Sequence, residues 1–184
     1  MKLKILIQDG HSDRVSEFSV LIGKYMGLPE DDLNTIRVGG LFHDIGKIGV
    51  PDSILLKTDK LTDDEYSEIK NHPTIGAHIL STATIFQNLI PIVKHHHEKY
   101  DGTGYPSKLK GEDIPLLARI AAVADTFDAM TSKRTYRNAL PLDVVKAEIE
   151  RCKGTQFDPK IADVFLDILN NHYDEIKNIQ DRYI

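Results

Sequence analysis

Three apolar stripes in this chain carry acids or imidazoles where only hydrocarbon should sit, and that limits the fold more than any other feature. Leu33, Ile36 and Gly40 recur at helical spacing, and their face extended by three or four residues reaches His43 and Asp44. Leu89, Ile92 and Val93 make a second face that ends in His96. Residues 118–130, ARIAAVADTFDAM, are apolar nearly all round, as a central buried helix should be, yet carry Asp125 and Asp128 three apart on one side. An unpaired charge in such a place costs on the order of several kcal/mol or loses its charge. Buried carboxylates are rare unless paired or on a metal. A metal ion would compensate for His43 and Asp44; for that pair alone, a hydrogen-bonded His-Asp couple capping the helix end is the simpler alternative.

The rest of the chain also reads as helices. Val15, Phe18, Ile22 and Tyr25 share a face from Ser12 onward, and Gly27-Leu28-Pro29 stops that helix and starts the next, at about 30–43. Gly46, Gly49 and Pro51 force a turn, followed by a short buried helical turn at Ile54-Leu55-Leu56. Thr62-Asp63-Asp64-Glu65 is a capping box, with Tyr66 and Ile69 expected on the core face behind it. His72-Pro73 ends or kinks that helix. Another follows with Ile75, Ile79 and Leu80 inward, and two more are expected at about 141–152 and 159–170, the second opened by Asp158 as N-cap and Pro159 at N1. Residues 1–10 are left open as a strand, a helix stub or a linker remnant, 11–170 read as the domain, and 171–184 as a loose helical tail. No strand alternation or repeat stands out, so the fold class is all-α.

Composition narrows the function. With 41% hydrophobic and 28% charged residues, the chain is an ordinary globular one, long enough for one well-buried core. A net charge of -5 without a long basic run argues against polymeric nucleic acid, though not against a small nucleotide. Cys152 is the only cysteine, which excludes an intrachain disulfide and a thiolate metal cluster. No apolar run approaches the ~20 residues of a membrane span, and MKLKILI is too short for a secretory signal, so a cytoplasmic setting is expected.

The helix ends and the central helix together offer His11, His43, Asp44, His72, His96, His97 and Asp125 as donors. Mixed imidazole and carboxylate sets suit iron, manganese, zinc or nickel. Seven donors over-supply one ion, and Asp44 and Asp125 are able to bridge two; paired ions ~3.5–4 Å apart are the usual apparatus of phosphoester hydrolysis. Lys47, three after Asp44, is either a solvated lysine or, beside metals, a clamp or proton donor for phosphate oxygen. Glu98 is expected to support His96 or His97 from behind. Residues 98–115 form a long loop with two glycines around Tyr105-Pro106, and long ordered loops are usually functional.

His43-Asp44-Ile45-Gly46-Lys47 and the run from His96-His97-Glu98 through Asp101-Gly102-Thr103-Gly104-Tyr105-Pro106 resemble the signatures of the HD-GYP family, a branch of the HD phosphohydrolases. The likeness extends from His11 to Pro159. It implies an HD-type helical bundle with a long Gly-Tyr-Pro loop and a phosphodiesterase opening cyclic di-GMP to pGpG, often onward to GMP. It further implies ligand roles for the seven donors above, Lys47 beside the attacking water that two divalent ions activate, and nucleotide contacts for Tyr105, Arg134 and Arg137. Iron or manganese is the expected metal, with nickel, zinc or magnesium as alternatives. Arginine forks suit both phosphate oxygens and a guanine edge; the alternative for Arg134 and Arg137 is a solvated pair at a helix end. Members with three metals carry a Glu four residues before the first histidine, where this chain has Ile7, so two metals are expected, with Asp9 as a substitute if the backbone differs. Three other readings stay open: another cyclic dinucleotide as substrate, a catalytically weak module that binds a nucleotide, or one that docks a GGDEF-domain protein. The polar tail could also pair two copies into a dimer.

Overall fold

The computed structural model describes residues 10–132 and 139–183. Among the described residues ten α-helices run in order: α1 His11–Tyr25, α2 Glu30–Phe42, α3 Asp52–Leu55, α4 Asp63–Lys70, α5 His72–Ser81, α6 Ile90–His95, α7 Leu116–Thr131, α8 Leu142–Arg151, α9 Pro159–Asn171 and α10 Tyr173–Arg182. Three 3₁₀ turns, Ile45–Gly49, Thr84–Leu89 and Gly111–Asp113, link them, and no strand occurs among the described residues. The all-α expectation holds. None of these helices is long and apolar enough to cross a membrane.

Local signals act as chemistry requires. Gly27 takes φ 73 just beyond α1, where the amides of Gly27 and Leu28 satisfy the last carbonyls of the helix. Thr62 and Glu65 form the reciprocal capping box of α4. Asp158 caps α9 by accepting the Lys160 amide, with Pro159 at the first position.

The main core joins α1, α2 and α7 to α8, α9 and α10. Phe18, Phe127 and Phe165 are fully buried and meet edge to face, at centroid distances of 5.1 Å and 4.9 Å. Around them pack Val15, Ile22, Ile36, Ile120, Val123, Ile161 and Ile168. Leu80, Leu89 and Val93 form a separate, smaller cluster with Phe42, Ile45 and Phe86 against it.

Several expectations change in detail. Leu56 and Tyr66 are about half exposed rather than buried, because the 3₁₀ turn, α3 and α4 lie at the rim and not under another layer. Helix α4 ends at Lys70, the first of the two outcomes expected at His72-Pro73, and the same pair opens α5; proline is tolerated in a first turn, where its missing N–H would have no partner. Helix α10 is docked rather than loose, since Ile176 and Ile179 reach the main core.

Candidate metal centre

Each donor is delivered by an element end or by the central helix. His11 is the first residue of α1, and His43 follows the last residue of α2 with Asp44 next to it. His72 is the first residue of α5; His96 and His97 follow α6; Asp125 projects from α7. The segment after Asp44 can pass so close to α5 only as glycine. A Cβ on Gly46 would lie 1.8 Å from the His72 carbonyl oxygen and 2.5 Å from the Gly76 nitrogen.

The side chains converge into two groups whose donor atoms lie within 4.8 Å of one another: Asp44, His72, His96 and His97 in one, and His11, His43 and Asp125 in the other. Asp44 faces both. Its Oδ1 is 3.2 Å from His72 Nε2, while its Oδ2 is 3.3 Å from His43 Nε2 and 3.9 Å from His11 Nε2. Asp125 Oδ1 lies 3.5 Å from His11 Nε2 and 4.0 Å from His43 Nε2. His72 Nε2 and His96 Nε2 approach to 3.4 Å. Lys47 donates to Asp44 Oδ2 at 2.5 Å.

The histidines are aimed, not merely buried. His43, His72 and His96 each place Nδ1 on the carbonyl oxygen three residues back, Gly40, Ile69 and Val93, at 2.7, 2.7 and 2.9 Å. A carbonyl only accepts, so Nδ1 carries the proton and Nε2 is left for the cavity. The Nε2 of His43 is buried and has no hydrogen-bond partner, which a folded protein tolerates when something else occupies that position.

Electrostatics point the same way. Burial opposes a charge on His43, yet the neighbouring Asp44 and Asp125 carboxylates outweigh it and push its pKa up to about 9. Burial also opposes ionisation of Asp44, but His43 and Lys47 beside it hold its carboxyl well below the usual range. His96 is pushed down to about 3 by burial and by His43 near it. His97 is likewise lowered, by burial and by His96. An Asp44 that stays ionised, a His96 and a His97 that stay neutral, and a His43 onto which the acidic surroundings draw a proton describe a pocket that favours a cation. The donor set, without sulfur, fits a first-row divalent metal.

The Gly-Tyr-Pro loop forms one wall. Tyr105 stacks on His97 at 4.9 Å with planes 27° apart, and the Tyr105–Pro106 peptide is cis. The loop is pinned at Gly104, whose Cβ would stand 2.3 Å from the Lys99 nitrogen. Glu98 does not support His96 or His97 as expected. Its Oε1 accepts the Ser107 amide at 2.7 Å and lies 3.5 Å from His95 Nδ1, so it fastens the returning arm of the loop. Glu98 therefore serves the loop and His95, which sequence order alone does not reveal.

All seven expected donors, Lys47 and Tyr105 come together. Arg134, Arg137, Ile7 and Asp9 lie outside the described residues. Sequence reasoning missed Lys70, whose ammonium lies 4.5 Å from the Tyr66 ring centre and 5.8 Å from that of Tyr105 at the mouth of the site. It also missed Arg14, which bonds Asp128 behind His11. The spacing of His11 and Arg14, one helical turn apart, was the available signal.

With this geometry, comparison with known proteins is informative. Residues 3–161 match the family model described as HD domain. The response regulator RpfG of Xanthomonas campestris, a cyclic di-GMP phosphodiesterase by name, is 44% identical over 156 residues, covering 84% of this chain and 41% of that protein. The 3'3'-cGAMP-specific phosphodiesterase 2 of Vibrio cholerae is 37% identical over 167 residues, or 90% of this chain and 31% of that one. Among solved structures, an HDG"Y"P protein of Bdellovibrio bacteriovorus superposes with a TM-score of 0.72 at 22% identity, over 89% of this chain and 52% of that chain. The likeness to it concerns the fold. The chain therefore spans less than half the length of the curated relatives it matches.

Proposed function

The chain belongs to the HD domain family and to its HD-GYP branch, and from that premise we propose that it is a metal-dependent phosphodiesterase opening cyclic di-GMP to pGpG. Onward cleavage to GMP is the continuation of the same chemistry. One observation carries the reading: two donor groups share one cavity, and Asp44 turns an oxygen toward each.

His11, His43 and Asp125 would hold one divalent ion, and Asp44, His72, His96 and His97 would hold the other. Iron or manganese fits this set best, and nickel, zinc or magnesium would be held by the same atoms. Two such ions supply Lewis acidity to the phosphoryl oxygens and an activated water for in-line attack. The chain's own residues do the rest. Lys47, anchored on Asp44, holds a cation beside the scissile phosphate and can move a proton at its Nζ. Tyr105 offers a ring face to a base beside His97, and burial pushes its hydroxyl pKa up, so it stays a neutral donor. Arg134 and Arg137 follow α7 in sequence and supply guanidinium forks for the phosphates or a guanine edge. A GGDEF-domain protein as partner and a cytoplasmic location go with the same resemblance.

A second substrate class has support of its own, since a relative named for 3'3'-cGAMP matches nine-tenths of the chain. Product analysis separates the two. The protein is reconstituted anaerobically with Fe(II) or Mn(II) and given each dinucleotide at equal concentration. Faster conversion of cyclic di-GMP to pGpG is expected; faster cleavage of the hybrid would reassign the substrate, and no turnover of either despite bound metal would leave a binding module.

A further inference from the structure

Three of the cavity histidines are oriented by one device, and His11 is oriented by another. His43, His72 and His96 donate Nδ1–H to the carbonyl three residues earlier. His11 is the first residue of α1, after its N-cap Gly10. Its Nδ1 instead meets a carboxylate from the central helix, Asp128 Oδ2, at 2.7 Å. Asp128 is 1% exposed and lies outside both donor groups.

The carboxylate is held on every side. Arg14 Nε donates to its Oδ1 at 2.6 Å and Arg14 Nη2 to its Oδ2 at 3.2 Å, while Ser132 Oγ donates to Oδ2 at 3.1 Å. Arg14 Nη1 reaches the Tyr183 carbonyl at 2.6 Å, tying the arrangement to the end of α10. A carboxylate so bound cannot rotate away, and an ionised one only accepts. It therefore fixes the proton on His11 Nδ1 and leaves Nε2 directed at Asp125 and Asp44. A carboxylate behind an imidazole also makes the ring a stronger donor than a carbonyl does.

We infer that Asp128 is a positioning residue for the His11 donor group alone: it aims His11 and strengthens it, whereas the Asp44–His72–His96–His97 group depends on backbone carbonyls and is independent of it. The inference rests on the two-ion reading above. It deepens that reading by giving the two ions different sources of support.

Titration of the metal-free protein with Co(II), followed by visible absorption and by bound metal per chain, tests it without reference to turnover. The parent should fill in two steps. Asp128→Asn should weaken one step by about 10- to 100-fold, the step that His11→Ala also removes, and leave the step that His96→Ala removes. A general loss of structure would move both steps. Because Asn removes the negative charge facing the partly buried Arg14, the pair Asp128→Asn with Arg14→Met is titrated alongside, and the same single step should be weakened. Two parent steps that stay equal in both variants, or shift together, would overturn the inference while leaving the two-ion reading intact. A parent that binds one ion would overturn both, and absent turnover with normal two-step binding would count against the phosphodiesterase only.

Discussion

The two sides of the cavity are built on different principles. Helices α1, α2, α7 and α9, each 13 to 16 residues long, surround a continuous core of Phe18, Phe127 and Phe165, and from this side come His11 and Asp125. The opposite side, from the 3₁₀ turn at Ile45–Gly49 to α6, is made of pieces no longer than the 10 residues of α5. Its buried apolar cluster is small, and its histidines are held by carbonyls, glycine contacts and loop hydrogen bonds. Long helices packed around a large core draw their stability from that burial, whereas short ones over a small cluster open at lower free energy. His72, His96 and His97 thus sit on the side with the smaller core, and His11 and Asp125 on the side with the larger one.

Breaking the core side should produce the largest effect. Phe127→Ala removes the ring at the centre of the aromatic trio and should cost about 3–5 kcal/mol in urea unfolding of the metal-free protein. That is a large share of what a domain of this size has. On the opposite side, Gly46→Ala forces a Cβ against the backbone of α5 and should cost about 1–3 kcal/mol. The two variants should differ in kind. Gly46→Ala should lose metal from the His72 group while the α7 amides stay protected against hydrogen exchange, and Phe127→Ala should loosen α7 itself.

Chelation sharpens the contrast without a mutation. Removing metal should speed hydrogen exchange through residues 45–100 and leave Ile120–Phe127 nearly as slow as before; equal acceleration in both would contradict the division. Similar in size to Gly46→Ala but confined to the loop is Glu98→Ala, which leaves the Ser107 amide without its acceptor, a loss of about 1–3 kcal/mol. It should raise KM more than it lowers kcat, because it frees the arm of the loop after Tyr105 and not a metal donor. Lys70→Ala should do least, raising KM about two- to fivefold at unchanged metal content, the scale of one exposed cation–π contact.

How much the sequence told in advance follows the same division. Period and capping identified the long helices, since Val15, Phe18 and Ile22 repeat at 3.6 residues and Asp158-Pro159 announces α9. His43, Asp44, His96 and Asp125 were legible because an apolar stripe rarely ends in an acid or an imidazole unless that group is paired or on a metal, whereas His11, His72 and His97 stood out only through the family resemblance. The short elements were not. Tyr66 shares a helical face with Ile69, but nothing in the pattern says that no layer covers it. Asp128 was visible as a buried acid, and its partners were not, because His11 and Arg14 stand 117 and 114 residues away and only packing of α1 on α7 joins them. Glu98 was placed behind the wrong histidines for a similar reason: its acceptor role is set by the path of the loop to Ser107.

The proposed hydrolysis depends above all on Asp44 standing between two ions that act together. The direct measurement is metal per chain and cyclic di-GMP turnover on the same anaerobically reconstituted samples of the parent and of Asp44→Asn. Two ions in the parent, one or none in the variant, and at least about a hundredfold loss of pGpG formation are expected. Full metal content and undiminished turnover in Asp44→Asn would refute the bridging role and the two-ion chemistry with it.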